Sequence, residues 1–564
     1  MNNTLLQKTA IRDFIRKHSV PLFFITWFAI NLVQAAGTEL LDDEAYYWIY
    51  SKYLDWGYFD HPPVIALLIK WGYALFPNEF GVRLPVVVLS TLALAIIHHL
   101  LPRKNDGLFF AIACSLAVLQ IGSIIAAPDN PLVFFTALFF LMYKRFIEKM
   151  SLRNAVLLGL VMALLLYSKY HGVLIIFFSL LSNPKLLLRY QAWIAALTGA
   201  LLFIPHLYWQ YTNGFPSVHF HLFERNATSY SLSFTLEYLL GQVFAAGPLL
   251  GWLLLWAAFK YKTANPFEKA LKFSMVGFYI FFLISTFKGR VELNWTIPAF
   301  VPLIILCHQY MLNHQKGKRI LLQFAPFTLV LVLAVRAYML LNFQPIDAFP
   351  KDEFHYNNLV AASIYKKTNG LPAVFINSYQ KASKYWFYSG VVAYSLNTPT
   401  YRRNNFNFWP LEDSLFGKKI AAVDYAYINR GIRVTPIEDA DSIITDFYYS
   451  FSKVKIDCNK TREVTNNVIS NYALTVFSED AHLKAYQLPN IRSAKIELWI
   501  LKNGKKYRRF PTNIILSNIT EKEQIIYATF PVKLAPGEYI ARFGLPSALI
   551  YPSLNSRTIR LRVY

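Results

Sequence analysis

Acidic and aromatic residues are concentrated in one stretch near the N-terminus of the chain. Residues 39–63, the acidic segment, contain four Asp and two Glu but a single Lys, and Asp42-Asp43-Glu44 is followed closely by Tyr46-Tyr47-Trp48. A carboxylate beside such side chains is partly desolvated, which raises its proton affinity and suits it to act as a general base. A solvated loop is the plainer alternative for this stretch taken alone.

Further polar groups stand at the ends of apolar runs. Asp60-His61-Pro62-Pro63 holds its His and Asp in an extended or turned backbone. Similar polar clusters occur at 128–131, 167–171 and 288–295. Ionisable groups near a membrane need partners or a function, so we expect these clusters to share one pocket. In it, Lys169 and Arg290 would hold a phosphate, although either one alone is more often an interfacial residue.

The elements that must position these residues are predicted to be membrane helices. The chain has 564 residues, of which 55% are hydrophobic and 16% charged, and its mean hydropathy is +0.32. Runs of about 20 apolar residues are long enough to cross a bilayer. The sequence predicts eleven such runs: 20–37, 83–101, 107–126, 131–147, 155–170, 172–187, 191–210, 236–259, 271–288, 295–313 and 320–341.

The distribution of basic residues predicts the orientation of these runs. Lys and Arg cluster at every second end, and cationic loops are retained in the cytoplasm. The acidic segment therefore faces outward, as does everything after about residue 342. A cleaved signal peptide at 1–36 is the competing interpretation. The net charge of +23 fits cytoplasmic loops and anionic headgroups, so we discount nucleic acid as a partner. The three cysteines support neither a disulfide framework nor a Cys-ligated metal site.

After the last apolar run the composition becomes that of a soluble region. We predict a transmembrane catalytic domain at 1–341, an extracytoplasmic α/β domain at 342–453 and a β-rich domain at 454–564. The α/β prediction rests on helix-like 352–368 and strand-like 373–377 and 420–425. The β-rich prediction, a small sandwich, rests on strand patterns at 494–501, 524–532 and 539–543, with turns at Asn503-Gly504 and Pro536-Gly537.

Several short motifs together resemble a known family. They are Asp43-Glu44-Ala45-Tyr46-Tyr47-Trp48, the run 54–63, Gly81-Val82-Arg83-Leu84-Pro85, Ala127-Pro128-Asp129, Ser168-Lys169-Tyr170 and 289–295. In this order, over about residues 20–310, they resemble the bacterial GT-C glycosyltransferases. The similar group is the dolichyl-phosphate-mannose protein mannosyltransferase-like enzymes, which are related to the aminoarabinose transferases of lipid A.

The resemblance implies a fold, a reaction and a set of site residues. The fold would be a multi-pass all-α GT-C membrane domain of about 11 helices, followed by the soluble α/β and β-sandwich domains. The donor would be a polyprenyl-phosphate-linked sugar rather than a nucleotide sugar, transferred with inversion. Asp43 and Glu44 would be catalytic, with Asp43 as base. The implied substrate and phosphate contacts are Asp60, His61, Asp129, Lys169, Arg290, Glu292 and Asn294. His61 stands where the aminoarabinose transferases have a lysine.

The leading hypothesis is an inverting membrane glycosyltransferase in the bacterial inner membrane, acting at its outer face. Its partners would be membrane lipids, the donor and an unidentified lipid, glycan or protein acceptor. A multi-pass transporter or lipid flippase is the alternative, but the acids stand at the ends of apolar runs and no inverted repeat is visible. A surface-binding protein with a membrane anchor would not need eleven spans. We predict that no cofactor is required. Metal dependence stays open: His219 and His221, near Glu224, could ligate a metal, but such a pair is more often ordinary.

Overall fold

The computed structural model describes residues 17–225, 230–341, 353–423, 443–458, 462–465, 468–502, 504–546 and 551–564. The chain forms two compact units, Met1–His355 and Tyr356–Tyr564. The predicted boundary at residue 342 falls among residues 342–352, which lie outside the described ranges. The predicted division of the soluble region near residue 454 stays a prediction, because the second unit is compact as a whole.

Helices are the only regular secondary structure in the described part of the first unit. Its α-helices are α1 Ser19–Gly37, α2 Asp42–Lys52, α3 Val64–Leu75, α4 Glu79–Leu100, α5 Asp106–Ser115, α6 Ala117–Gly122, α7 Asp129–Glu148, α8 Leu152–Ser168, α9 Gly172–Ser182, α10 Tyr190–Thr212, α11 Pro216–His219, α12 Leu232–Ala246, α13 Gly251–Lys260, α14 Pro266–Ser285, α15 Phe300–Asn313 and α16 Gln315–Leu340. A π-helical turn follows α11 at Phe220–Glu224, and 3-10 helices lie at Pro184–Leu188 and Leu293–Ala299.

Among the described residues, six helices are long and apolar enough to cross a membrane. They are α1, α4, α7, α10, α16 and the continuous segment Leu293–Asn313, and the bent pair α12–α13 would make a seventh. Four apolar helices, α3, α5, α8 and α9, are shorter. The chain is therefore a multi-pass membrane protein, as predicted, whereas the count of eleven spans is not confirmed. The predicted run 107–126 is divided into α5 and α6, which explains part of the difference.

Glycines allow two close approaches in the first unit. α12 and α13 meet at an angle of 93° through Gly247, whose φ of +147° disfavours other residues. A Cβ atom there would lie 2.6 Å from the carbonyl oxygen of Ser115. A Cβ on Gly159 of α8 would lie 2.4 Å from the carbonyl oxygen of Ala195 in α10. Small residues at such crossings let membrane helices pack backbone to backbone.

The second unit begins with a small α/β arrangement. Four strands, β1 Ala373–Ile376, β2 Ala393–Leu396, β3 Lys419–Val423 and β4 Ile443–Phe447, form one sheet in the order β2-β1-β3-β4. β1 pairs in parallel with β2 and β3, and β4 is antiparallel to β3. Helices α17 Asn357–Thr368 and α18 Tyr379–Ser389 pack together beside it. This agrees with the helix and strand patterns found in the sequence.

The rest of the second unit is a two-sheet sandwich. Its strands are β5 Lys455–Cys458, β6 Arg462–Thr465, β7 Val468–Phe477, β8 Lys495–Lys502, β9 Lys505–Ile515, β10 Glu523–Lys533, β11 Gly537–Leu545, β12 Ser553–Leu554 and β13 Ile559–Val563. One sheet has the order β10-β7-β5 and the other β6-β13-β11-β8-β9. Buried residues of both sheets, such as Leu474, Leu498 and Phe543, form one core. The three predicted strand segments are therefore correct. Gly504 has a φ of +73°, as a hairpin turn requires, while Asn503 lies outside the described residues.

Candidate active site

The acidic segment folds as a short helix followed by a loop. α2 begins at Asp42, so Asp42, Asp43 and Glu44 all lie in its first turn, where the helix N-terminus favours negative charge. Asp43 is exposed, whereas Glu44 has no exposed surface. Adjacent residues of a helix point about 100° apart, which explains why two neighbouring acids occupy such different environments.

The Glu44 carboxylate accepts four hydrogen bonds. Arg83 donates from Nε at 2.8 Å and from Nη2 at 2.5 Å. The backbone N–H groups of Leu41 and Ala126 donate at 2.9 and 2.7 Å. With its lone pairs occupied and no exposure, Glu44 has the environment of a carboxylate that holds segments together. The structure thus gives the predicted catalytic pair two different settings.

Arg83 connects α4 to the acidic segment. Its guanidinium is buried, and besides Glu44 it donates to the carbonyl oxygens of Thr38 at 2.5 Å and Glu39 at 2.9 Å. Arg83 lies in the motif Gly81–Pro85, but the motif alone does not predict it as a functional residue. The signal was available, because an arginine within an apolar helix needs partners.

Lys169, Asp129 and Asn294 meet in direct contact. Lys169 Nζ lies 2.7 Å from Asp129 Oδ1, and Asn294 Nδ2 donates to Asp129 Oδ2 at 2.9 Å. Lys169 is only 5% exposed and Asp129 9%. The three residues come from the end of α8, the start of α7 and the 3-10 helix at Leu293–Ala299. The structure therefore brings together three of the predicted substrate contacts.

Asp60 and His61 lie in the loop between α2 and α3. Tyr50 of α2 donates its hydroxyl to Asp60 Oδ1 at 2.5 Å, which fixes the loop on α2. Burial is the main cause that lowers the pKa of His61 to about 3, with Lys169 adding to the effect and Asp60 opposing it. His61 is therefore a neutral imidazole close enough to Lys169 to sense its charge. Its Nδ1 is buried without a hydrogen-bond partner.

Two further histidines lie around Lys169. Burial lowers the pKa of His221 and lowers that of His171 well below its usual range, and the charge of Lys169 contributes in both cases. His221 Nε2 lies 3.0 Å from the carbonyl oxygen of Asp60. The His171 ring packs on Trp295, with 5.6 Å between centroids, and Arg225 lies over the same Trp295 ring at 4.5 Å. The sequence suggests His221 only as a metal ligand, and it suggests His171 only as part of the polar cluster 167–171.

A hydrogen-bond network holds this loop against α10. Tyr170 donates its hydroxyl to Ser217 Oγ at 2.9 Å, and Ser217 in turn donates to the carbonyl oxygen of Tyr58 at 3.0 Å. Gln210 of α10 donates to both Tyr170 and Ser217, at 3.1 and 2.7 Å. Tyr170 follows Lys169 directly, so the network also restrains the backbone that carries the lysine.

Arg290 and Glu292 occupy a different environment from Lys169. The Arg290 side chain is 66% exposed, and its Nε lies 3.6 Å from Glu237 Oε2 of α12. Glu292 is partly exposed and precedes the 3-10 helix. Of the late motif, Asn294 is the residue that reaches Asp129. The expected contact of Arg290 with the same phosphate as Lys169 is therefore not preformed in this structure.

The described residues contain no group of three or more His, Cys, Asp or Glu arranged to hold a metal ion. His221 is engaged by the Asp60 carbonyl, as above. The described part of the site thus offers one buried ammonium, carboxylates and neutral imidazoles. Lys169 has three N–H donors, one of which faces Asp129, so the others are available to an oxygen-rich anion. Of the three acids in the first turn of α2, Asp43 is the exposed one.

Residues 60–209 match the family model described as dolichyl-phosphate-mannose-protein mannosyltransferase. This segment includes His61, Asp129 and Lys169. Over 317 residues the chain is 24% identical to the lipid A galacturonosyltransferase RgtD of Rhizobium johnstonii, a match that covers 53% of this chain and 67% of RgtD.

Solved structures of ArnT from Cupriavidus metallidurans match most of the chain. The apo structure gives a TM-score of 0.54 at 14% identity, covering 76% of this chain and 98% of ArnT. The structure of ArnT bound to undecaprenyl phosphate gives the same TM-score and identity, covering 97% of that chain. These matches confirm the resemblance found in the sequence: the chain has the GT-C fold of the ArnT structures and is similar in sequence to RgtD.

Proposed function

We propose that this protein transfers a sugar from a polyprenyl-phosphate donor to a lipid, glycan or protein acceptor at the outer face of the bacterial inner membrane. The observation that carries the proposal is the buried contact of Lys169 with Asp129 and Asn294. A buried ionisable group in a membrane protein is commonly functional, and the ligand of the similar ArnT structure suggests a lipid phosphate as the anion that Lys169 binds. RgtD is named for transfer to lipid A, and ArnT was solved with undecaprenyl phosphate.

In the proposed reaction the acceptor oxygen attacks the anomeric carbon of the donor sugar. The acceptor O–H proton passes to Asp43, while the bond from the anomeric carbon to the phosphate oxygen breaks and its electron pair leaves with the polyprenyl phosphate. Lys169 offsets the charge that develops on that phosphate. One displacement inverts the anomeric configuration and requires no covalent intermediate. Among the residues discussed, Asp43 suits the base role because its carboxylate is exposed, unlike that of Glu44.

Asp129 and Asn294 act in this proposal as positioning residues. Asp129 Oδ1 accepts a hydrogen bond from Lys169 and fixes the orientation of its side chain, and Asn294 donates to Asp129 Oδ2. The ammonium is therefore oriented before the donor arrives, so less side-chain entropy is lost when the phosphate binds. His61 is neutral at physiological pH and supplies a hydrogen-bonding group rather than a second charge, which leaves Lys169 as the buried cation of this cluster.

The experiment that tests the function directly begins with the lipid that copurifies with the protein. Mass spectrometry of this lipid is expected to identify a polyprenyl-phosphate sugar, and incubation with membrane lipids should move that sugar to a new glycosidic bond. Movement of a solute across proteoliposomes without formation of such a bond would instead support the transporter.

The two neighbouring acids are expected to respond differently to substitution. Asp43→Asn should lower kcat by at least about 100-fold, the usual effect of losing a general base, without changing the apparent melting temperature. Glu44→Gln leaves Arg83 without its countercharge and should destabilise the fold by about 3–5 kcal/mol. Glu39→Gln is the matched control in the same segment. Undiminished transfer by Asp43→Asn would remove this residue from the mechanism.

Lys169→Met should lower kcat/KM for the donor by about 100-fold. It should also weaken binding of undecaprenyl phosphate, measured as a smaller ligand-induced rise in apparent melting temperature. Lys169→Met leaves Asp129 as an uncompensated buried charge, which lowers the free energy of unfolding. The double variant Lys169→Met/Asp129→Asn removes both charges, so it should be more stable than Lys169→Met but should bind phosphate no better. Lys185→Met, at an exposed lysine, is the control. Normal phosphate binding by Lys169→Met would contradict the assignment.

The lowered pKa of His61 makes stability depend on pH. The His61 imidazole binds a proton near pH 6.5 in the unfolded chain but only near pH 3 in the folded chain. The contribution of His61 therefore leaves the free energy of unfolding highest above pH 6.5 and lowers it as the pH decreases toward 3. His61→Gln should therefore lose less of its apparent melting temperature between pH 7.5 and about 5 than the unsubstituted protein. His99→Gln, at an exposed histidine, should behave like the unsubstituted protein. Equal acid sensitivity in all three proteins would show that His61 is not buried as described.

A further inference from the structure

The hairpin of β8 and β9 has an unusually basic tip. Five of the eight residues at 502–509 are Lys or Arg, and none is acidic. The side chains of Lys502, Lys505, Lys506, Arg508 and Arg509 are all exposed. In the part of the chain that the structure describes, no carboxylate pairs with Lys502, Lys505 or Lys506, while Arg509 lies 3.8 Å from Glu497. The hairpin therefore presents a surface of concentrated positive charge, hereafter the basic hairpin (residues 495–515).

Aromatic rings lie against three of these cations. Trp499 of β8 is paired with Arg509 across the hairpin, so both lie on the same face. Lys506 Nζ lies 4.9 Å from the Trp499 ring centroid, and the Arg509 guanidinium carbon 5.6 Å from it. Lys502 lies over Tyr539 at 5.2 Å. Trp499 and Lys502 are three residues apart in β8, so these contacts lie on opposite faces of the hairpin. They restrain charged side chains on both faces, which reduces the entropy lost when those side chains contact an anionic surface.

Exposed apolar side chains lie on the neighbouring strand. Ile525 and Tyr527 of β10 are 64% and 68% exposed. β10 runs beside β9, because Asn513 of β9 donates to the carbonyl oxygen of Tyr527 and accepts from the N–H of Thr529, at 3.3 and 2.7 Å. Asn513 is seven residues beyond Lys506 along β9, so this apolar pair lies roughly 20 Å from the basic tip, towards the other end of the strand. A surface that carries both cations and exposed Tyr and Ile has the composition by which proteins adsorb to the headgroup region of a membrane.

The plainer explanation is protection of an exposed sheet edge. β9 is the last strand of its sheet, and charged residues on an edge strand prevent association with other chains. Charged residues of either sign would prevent such association, whereas the exposed apolar side chains of Ile525 and Tyr527 would favour it. The single sign of charge together with the apolar pair favours an anionic lipid surface as the occupant.

We propose that the basic hairpin, with Ile525 and Tyr527, docks on the anionic headgroups of the bilayer that holds the first unit. Only 15 residues, 341–355, separate α16 from the second unit, so this contact forms within one molecule, at a high effective concentration of membrane. The proposal does not depend on the glycosyltransferase function, since it concerns a surface in the second unit.

Lysine footprinting of the full-length protein in nanodiscs tests the proposal. The nanodiscs contain either phosphatidylcholine alone or a mixture with phosphatidylglycerol, and N-hydroxysuccinimide acetate labels accessible lysines for mass spectrometry. Lys505 and Lys506 should be acetylated about fivefold more slowly with phosphatidylglycerol, since one cation near an anionic membrane gains roughly that factor in affinity. High salt should abolish the difference. Lys366 and Lys419, exposed lysines of the same unit, should react equally in both lipids.

Two variants sharpen the test. In Lys505→Glu/Lys506→Glu, Lys502 should react at the same rate in both lipids. Arg560→Glu/Arg562→Glu removes two exposed cations of β13 in the same sheet and should leave the protection of Lys505 intact. Equal acetylation of Lys505 in both lipids would overturn the proposal. Slow acetylation of Lys505 to the same extent in phosphatidylcholine would also overturn the proposal, as would slow acetylation that persists at high salt. Either result would indicate contact with protein rather than with anionic lipid.

Discussion

The buried ion pair of Glu44 and Arg83 is the contact on which the site depends. It joins α2 to α4, and through the Ala126 N–H it reaches the segment that leads into α7. Two buried charges stabilise each other only when both are present, so the three segments must assemble together. As a result Asp43 is held at the exposed side of α2, while Asp129, three residues after Ala126, is placed to meet Lys169.

The sequence predicted the components of the site better than their geometry. The recurrence of polar residues at the ends of apolar runs predicts Asp129, Lys169 and Asn294 as site residues. In the structure Lys169 and Asn294 both contact Asp129, and the roles of the three in binding stay predictions. The same pattern predicts Arg290, yet its side chain is exposed beside Glu237. Arg290 and Asn294 are four residues apart, but the chain turns into a 3-10 helix between them. Such a turn is not visible in hydropathy.

Burial of single side chains was equally hard to predict. Asp43 and Glu44 are adjacent acids, and only the position of Arg83 decides which of them faces inward. The count of eleven membrane spans is not confirmed, for a related reason. Hydropathy detects apolar length, but it does not detect the division at Leu116 between α5 and α6 or the 93° bend at Gly247. In the second unit, by contrast, alternation of apolar residues and glycine turns identified the sandwich strands, because that pattern is local.

The central claim is that Lys169 binds the phosphate of a polyprenyl-phosphate lipid. A cryo-electron microscopy structure of the full-length protein with undecaprenyl phosphate tests it most directly. We expect a phosphate oxygen within hydrogen-bond distance of Lys169 Nζ, about 3 Å, on the side of the ammonium opposite Asp129. Phosphate density beside Arg290 or elsewhere, with Lys169 and Asp129 paired as they are here, would contradict the claim.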